Sequence, residues 1–245
     1  MKKSDNTIKN SYILQEITET LENNDQNISN NIINNIDEII KNSKIEQETL
    51  SNLLISRIII YKKNITKLDK IILQKLKDKS VDNIKQKLDI AFNNKMNELT
   101  KSTSLNIDYT ILQKLLIQQN FQKADQLTQK YLCELSNINK KNNRNWLYFT
   151  DIQLIPKEDL FTIDLLWKIY SNNKFGISIQ KKVWIMNNKN WDKFLDKIGW
   201  TQKGVIKRYP NDFIWKIDAP TGHLPLFNQL RGNQVLYHLF KYTSW

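Results

Sequence analysis

Apolar residues recur at three- and four-residue intervals through the first hundred positions. Ile13, Leu14, Ile17 and Leu21 share one face, and Ile32, Ile33, Ile36, Ile39 and Ile40 share another. Leu50, Leu53 and Leu54 open a third stripe that runs on through Ile58. Ile65, Leu68, Ile71, Ile72 and Leu76 form a fourth, and Val81, Ile84, Leu88, Phe92 and Leu99 a fifth. This is the period of an α-helix, so the pattern predicts five amphipathic helices, with Asn-rich ends at Asn23-Asn24 and Asn93-Asn94. No Gly, Pro or Trp occurs from Met1 to Thr100, so the turn residues that strands need are missing. Each stripe must pack on a neighbour across a short connection, which predicts a bundle or a helical-repeat-like stack of antiparallel pairs. No repeated signature is found. A coiled coil is disfavoured because the stripes are interrupted.

The polar stretch Ser102 to Asn106 divides the chain into 1–105 and 106–245. Beyond it, Asp108 is a candidate N-cap. Tyr109, Leu112, Leu115 and Leu116 face inward on one helix, and Phe121, Ala124, Leu127, Tyr131 and Leu135 on the next, which predicts a helical hairpin. Asn137 to Asn145 reads as a polar, basic loop. Leu160, Ile163, Trp167 and Tyr170 line a further helix, with Pro156 ahead of it, Glu158 and Asp159 in its first turn, and Asn172 and Asn173 at its C-terminal end. Gly176 is the first glycine in the chain and marks a break. Val183, Trp184 and Met186 continue a short helix after Gln180. Trp191, Phe194, Leu195 and Ile198 make another, stopped by Gly199. Trp200 to Tyr209 reads as a loop or hairpin. Phe213, Trp215 and Ile217 alternate, which predicts extended chain. Residues 219–225, APTGHLP, hold two prolines and a glycine and exclude regular helix or an interior strand. A terminal helix is expected from Asn228 to Tyr242, anchored by Leu236, Leu239 and Phe240. The fold class is therefore all-α, with a long irregular loop near the C-terminus.

Charge separates the halves. Residues 1–105 carry 17 Lys/Arg against 14 Asp/Glu, and residues 106–245 carry 20 against 11. A basic second half suits an anionic partner: nucleic acid, an acidic ligand, or a membrane surface bound peripherally. All seven tryptophans lie there too, as a base-stacking platform, a pocket for a flat ligand, or core filling. The single cysteine, Cys133, excludes an internal disulfide and sits in a helical run as a small core residue. No run of about 18 apolar residues is present. The N-terminus has neither an apolar segment of the export type nor the composition of a transit peptide. The bias toward Asn, Ile and Lys is that of an A/T-rich coding sequence, as in an organelle genome. His223 and His238 have no Cys or HxxxH partner, and no phosphate-binding glycine pattern appears, so binding is a better reading than catalysis. No catalytic or metal-binding set is assigned.

The order of blocks adds to this. DLFTIDLLWKIY, NNKFGISIQKKVW, FLDKIGW and DAPTGHLP, preceded by DYTILQKLL and FQKAD, resemble the genomes-uncoupled-four family from about Asp108 to the C-terminus. Asn173 and Ile177 stand where the family pattern GRFGFSVQ has Gly and Phe. The resemblance implies a porphyrin-binding domain behind a variable helical scaffold, in a plastid protein of chlorophyll synthesis. It implies that protoporphyrin IX and its magnesium form are ligands, that the large porphyrin-binding subunit of magnesium chelatase is the partner, and that the role is to stimulate that enzyme without catalysis. No catalytic cofactor and no nucleic acid are expected. A flat apolar ring with two propionates needs apolar surface and a polar rim. Tyr209, Phe213, Trp215, Leu226 and Phe227 are the candidates for the surface, and Asn228 and Arg231 for the carboxylates. Gln234 stands where a second basic residue is looked for. His223 reads as a turn residue bonded to backbone, with ligation of a porphyrin metal as the alternative. A nucleic-acid-binding helical protein is the alternative function.

Overall fold

The computed structural model describes residues 2–22, 28–92, 107–136, 144–202, 204–226 and 233–243. The chain divides into two compact units, Met1–Lys101 and Ser102–Trp245. Almost all regular structure is helical, and the described strands are two residues long. The interdomain stretch 102–106, both Asn-rich ends and Leu99 lie outside the described residues.

In the first unit the helices are α1 (Lys2–Glu22), α2 (Asn30–Asn42), α3 (Lys44–Ile55), α4 (Lys67–Lys79) and α5 (Asp82–Phe92). The stripes meet as their spacing requires: Ile17, Ile36, Leu50, Leu54, Ile72, Leu76, Ile84 and Leu88 are fully buried. Ser29 caps α2, accepting from the Ile32 N–H, and Ser43 caps α3, accepting from the Ile45 N–H. The third stripe does not stay α-helical to Ile58. Ser56–Ile60 widens to a π turn, closed by the Tyr61 N–H on the Ser56 carbonyl at 2.9 Å. The wider turn buries Arg57, Ile58 and Ile59 together. The Arg57 guanidinium donates to Asp69, whose carboxylate also accepts the Thr66 N–H in the capping box of α4.

In the second unit α6 (Thr110–Ile117) and α7 (Phe121–Leu135) form the expected hairpin. A 3-10 turn (Phe149–Leu154) leads into α8 (Lys157–Tyr170), then α9 (Ile177–Met186), α10 (Trp191–Lys197), the strands β1 (Thr201–Gln202) and β2 (Val205–Ile206), and α11 (Gln234–Tyr242). β1 and β2 pair antiparallel, Thr201 opposite Ile206. Helix α8 is buried on most sides. Trp167 stacks on Phe121, with ring centroids 6.0 Å apart, and its indole N–H donates to the Thr128 hydroxyl. At its end Asn172 and Asn173 take φ of 52° and 59°, the left-handed conformation that lets the chain reverse. Gly176 follows at φ 132°, where an added Cβ would lie 2.9 Å from Asp164 Oδ1. That carboxylate accepts the Ser178 N–H at 2.8 Å, so α9 starts at Ile177, earlier than its apolar pattern shows.

Candidate functional site

The irregular loop is held by side chains far away in sequence. The fully buried Gln180 on α9 uses both of its amide N–H groups on it, donating to the Gly222 carbonyl at 3.0 Å and the Pro225 carbonyl at 2.7 Å. Asp125 on α7 accepts the Leu226 N–H at 2.7 Å. The backbone adds two rungs: Gly176 N–H to the Leu224 carbonyl, and Gly222 N–H to the Lys174 carbonyl. Gly222, at φ 82°, packs where a Cβ would meet Ile198 Cγ2 at 3.1 Å. Residues 222–226 are all buried, so the turn is part of the core and its path is fixed as far as Leu226.

His223 is the centre of that turn. Its Nδ1 lies 2.6 Å from the Ile198 carbonyl and therefore carries the proton, while Nε2 accepts the Ile214 N–H at 3.1 Å. Burial holds its pKa below the ordinary histidine range, and the imidazole is neutral. Both ring nitrogens are engaged, as expected for a turn residue bonded to backbone, and neither is left for a metal.

The segment around Phe213 departs from the extended chain that its alternation predicts. It is a series of turns, with the Trp215 indole donating to the Pro210 carbonyl, Ala219 N–H to the Lys216 carbonyl, and Ile214 N–H drawn to His223. These bonds bend what periodicity alone leaves straight. The bend brings Tyr209, Phe213 and Trp215 together, with ring centroids 5.9 Å apart for Tyr209–Trp215 and 6.4 Å for Phe213–Trp215. Tyr209 and Trp215 keep accessible surface, whereas Phe213 and Leu226 are buried. Gln234 is exposed at the start of α11. Phe227, Asn228 and Arg231, with the part of the expected terminal helix before Asn233, lie outside the described residues.

The sequence reading did not single out the groove between α11 and the 3-10 turn. It has a volume of about 290 Å³ and is lined by Phe149, Thr150, Ile152, Gln153, His238, Lys241 and Tyr242. The Phe149 and His238 rings lie 4.8 Å apart, tilted by 33°. Lys157 Nζ sits over the Tyr242 ring and Lys241 Nζ over the Tyr237 ring, so the lining is aromatic with cations at the rim. Beside it, Arg144 stacks on Trp146 and Tyr148 and is ion-paired with Asp151 at 2.8 Å. One signal was available in the sequence: Gln234, His238 and Lys241 follow helical spacing on one face of α11. Among the described residues no group of three or more His, Cys, Asp or Glu is placed to hold a metal ion. Three of the tryptophans, Trp167, Trp184 and Trp200, are core residues.

A family model described as GUN4-like matches residues 102–243. The ycf53 protein of Porphyra purpurea is 52% identical over 139 residues, which are 57% of this chain and 58% of that protein, so the match spans little more than half of that relative. The ycf53 protein of Pyropia yezoensis is 41% identical over 230 residues, 92% of this chain and 95% of its own length. A chloroplastic tetrapyrrole-binding protein of Arabidopsis thaliana is 34% identical over 137 residues, 52% of this chain and 51% of that protein. The solved structure of GUN4 from Chlamydomonas reinhardtii superposes with a TM-score of 0.52 at 42% identity, covering 57% of this chain and 90% of that one.

Proposed function

Because the chain belongs to the GUN4-like family, we propose that it binds a tetrapyrrole on its second unit and acts through that binding, not through catalysis. The ligands are protoporphyrin IX and magnesium protoporphyrin IX, and the role is to stimulate magnesium chelatase in a plastid by delivering or withdrawing porphyrin. Metal insertion belongs to the enzyme. The carrying observation is the buried turn 222–226, clamped by Gln180 and Asp125 and packed through His223 on the aromatic cluster of Phe213, Trp215 and Tyr209. Tyr209 and Trp215 supply apolar surface, and Phe213 and Leu226 back it from the core. Phe227 extends that surface, and Asn228, Arg231 and Gln234 receive the propionate edge.

Titration with deuteroporphyrin, followed by tryptophan quenching, tests this reading. Saturable binding should weaken only modestly with salt, because stacking supplies most of the energy and few charges are neutralised. A loss of several hundredfold on raising salt points to a polyanion site instead. Arg231→Ala should weaken binding of the free acid by about 1–3 kcal/mol, the range for a charge-assisted hydrogen bond. The dimethyl ester should bind wild type and variant alike. Equal affinity of both proteins for the free acid removes Arg231 from the site.

A further inference from the structure

The end of α9 leaves two apolar side chains in solvent: Ile185 is 49% exposed and Met186 81%. The other apolar residues of α9, Ile177, Ile179, Val183 and Trp184, fasten the helix to the core, so this pair stands apart from the packing stripe. The turn 187–190 folds back on the helix end. The Asn188 N–H meets the Ile185 carbonyl at 3.0 Å, and the Lys189 N–H meets the Trp184 carbonyl at 2.9 Å. That fold sets the Lys189 ammonium over the Trp184 ring, 6.0 Å from its centroid. Trp184 packs on Trp191 at 5.3 Å and on Tyr237 at 6.0 Å, and both of these are half-buried. Trp191 in turn stacks on Phe240, 6.2 Å away with 6° between the planes, and the Lys241 ammonium lies over Tyr237. An aromatic ledge, partly open and held from behind, thus adjoins an exposed aliphatic pair, with cations at both.

Charge selects the occupant. The two stretches that meet here are residues 165–191, with five lysines, and 219–245, with one lysine and one arginine, and neither contains an Asp or Glu. Asp192 and Asp196 on α10 are matched by Lys193 and Lys197 of the same helix. Lys182 is exposed one helical turn before Ile185 and Met186, on their face of α9. A bilayer fits poorly, because lipid insertion needs a long apolar face and α9 has buried its own. A protein fits better. Trp, Tyr and Met are the types enriched at the centre of protein–protein interfaces, and cations at the rim steer an acidic partner while staying solvated. Resting on the chelatase reading above, we infer that Ile185, Met186, Trp191 and Tyr237, rimmed by Lys182 and Lys189, form the docking surface for an acidic face of that partner protein. The partner presents Asp or Glu side chains around an apolar centre. None of these six residues is among those assigned to the tetrapyrrole, so docking and ring binding can be perturbed separately.

The test measures association of the full chain with the purified porphyrin-binding subunit of magnesium chelatase, in wild type and in three double variants shown by circular dichroism to be folded. Lys182→Glu with Lys189→Glu should weaken association by about tenfold or more and flatten its salt dependence, because the steering charges are reversed. Ile185→Ser with Met186→Ser should weaken it by about tenfold and keep the salt dependence, because only the apolar centre is lost. Lys44→Glu with Lys70→Glu makes the same change of net charge at exposed positions of the first unit. It should alter association by less than about twofold, since distant exposed charges are screened. Deuteroporphyrin affinity should stay within about twofold of wild type in all three. Unchanged association in both surface variants, or an equal loss in the first-unit pair, overturns the surface and leaves the chelatase partnership standing. Unchanged association together with lost sedimentation on anionic-lipid vesicles, or with loss of a self-associated form, gives the face to lipid or to a second copy and overturns it too. No association by wild type overturns the partnership and the surface together, while the porphyrin titration of the same protein reports on ring binding independently.

Discussion

In the first unit the buried carboxylate of Asp69 meets Arg57 twelve positions away and the Thr66 cap three positions away. In the second unit the carboxylate of Asp125 meets the N–H of Leu226, 101 positions away, and Gln180 reaches across 42 and 45 positions to two carbonyls of the same turn. The first unit also has long-range polar pairs, but those of Asp37 with Lys75 and Lys79 keep solvent access. Helix stripes carry the scaffold, and its other long-range polar pairs, Asn10 with Glu46, the Val81 N–H with Gln47 and Lys87 with Glu48, tie one regular helix to the next. An irregular loop has no ladder of its own, and its backbone groups must be met by side chains from elsewhere. The unit that contains such a loop is the one where a shaped surface is built.

The sharpest way to break this contrast is Gln180→Leu. It leaves the Gly222 and Pro225 carbonyls buried without a donor, at about 1–3 kcal/mol each. Urea unfolding of the variant should show a loss of that size. Deuteroporphyrin affinity should fall with it, because the turn ending at Leu226 no longer packs firmly on the aromatic cluster. Full affinity in a destabilised variant would separate the turn from the site.

A smaller effect is expected from pH. Burial depresses the pKa of His223 in the folded state, so the unfolded chain takes up a proton that the folded chain refuses. The unfolded state binds more protons, and stability rises with pH. The contribution of His223 is complete above about 6.5, the ordinary histidine value, and is lost as pH falls below it. Urea midpoints measured across that range should slope more steeply for wild type than for His223→Gln. The smallest effect is expected in the first unit. Hydrogen bonds from Lys75 and Lys79 lower the pKa of Asp37, but the cluster is solvated. Asp37→Ala should therefore cost less than about 1 kcal/mol in urea unfolding and leave porphyrin titration unchanged.

The same contrast decides what could be read from the chain. The stripes through Ile17, Ile36, Leu54, Ile72 and Leu88 were legible because helical burial is a local, periodic property. So was the reversal after α8, because Asn172, Asn173 and Gly176 are the residue types that positive φ favours. The π turn at Ser56 and the early start of α9 were not legible. The first is a change of hydrogen-bond register within an unbroken apolar run, and the second depends on Asp164, fourteen residues upstream. The turns around Phe213 were missed for the same reason, since alternation carries no trace of the bonds to His223 and Pro210. Near the irregular loop, the break from regular structure at 219–225 was legible, because Pro220, Gly222 and Pro225 exclude helix and interior strand. The clamp by Gln180 and Asp125, and the groove at Phe149 and His238, arise only when distant segments meet.

If the tetrapyrrole site belongs to the second unit, that unit should bind without the first. Residues 1–101 and 102–245 can be produced separately, checked for helical folding by circular dichroism, and titrated with deuteroporphyrin beside the full chain. The 102–245 piece should match the full chain in affinity, and the 1–101 piece should show no saturable quenching or ligand absorbance change. Saturable binding by folded 1–101, or none by folded 102–245, would contradict the account.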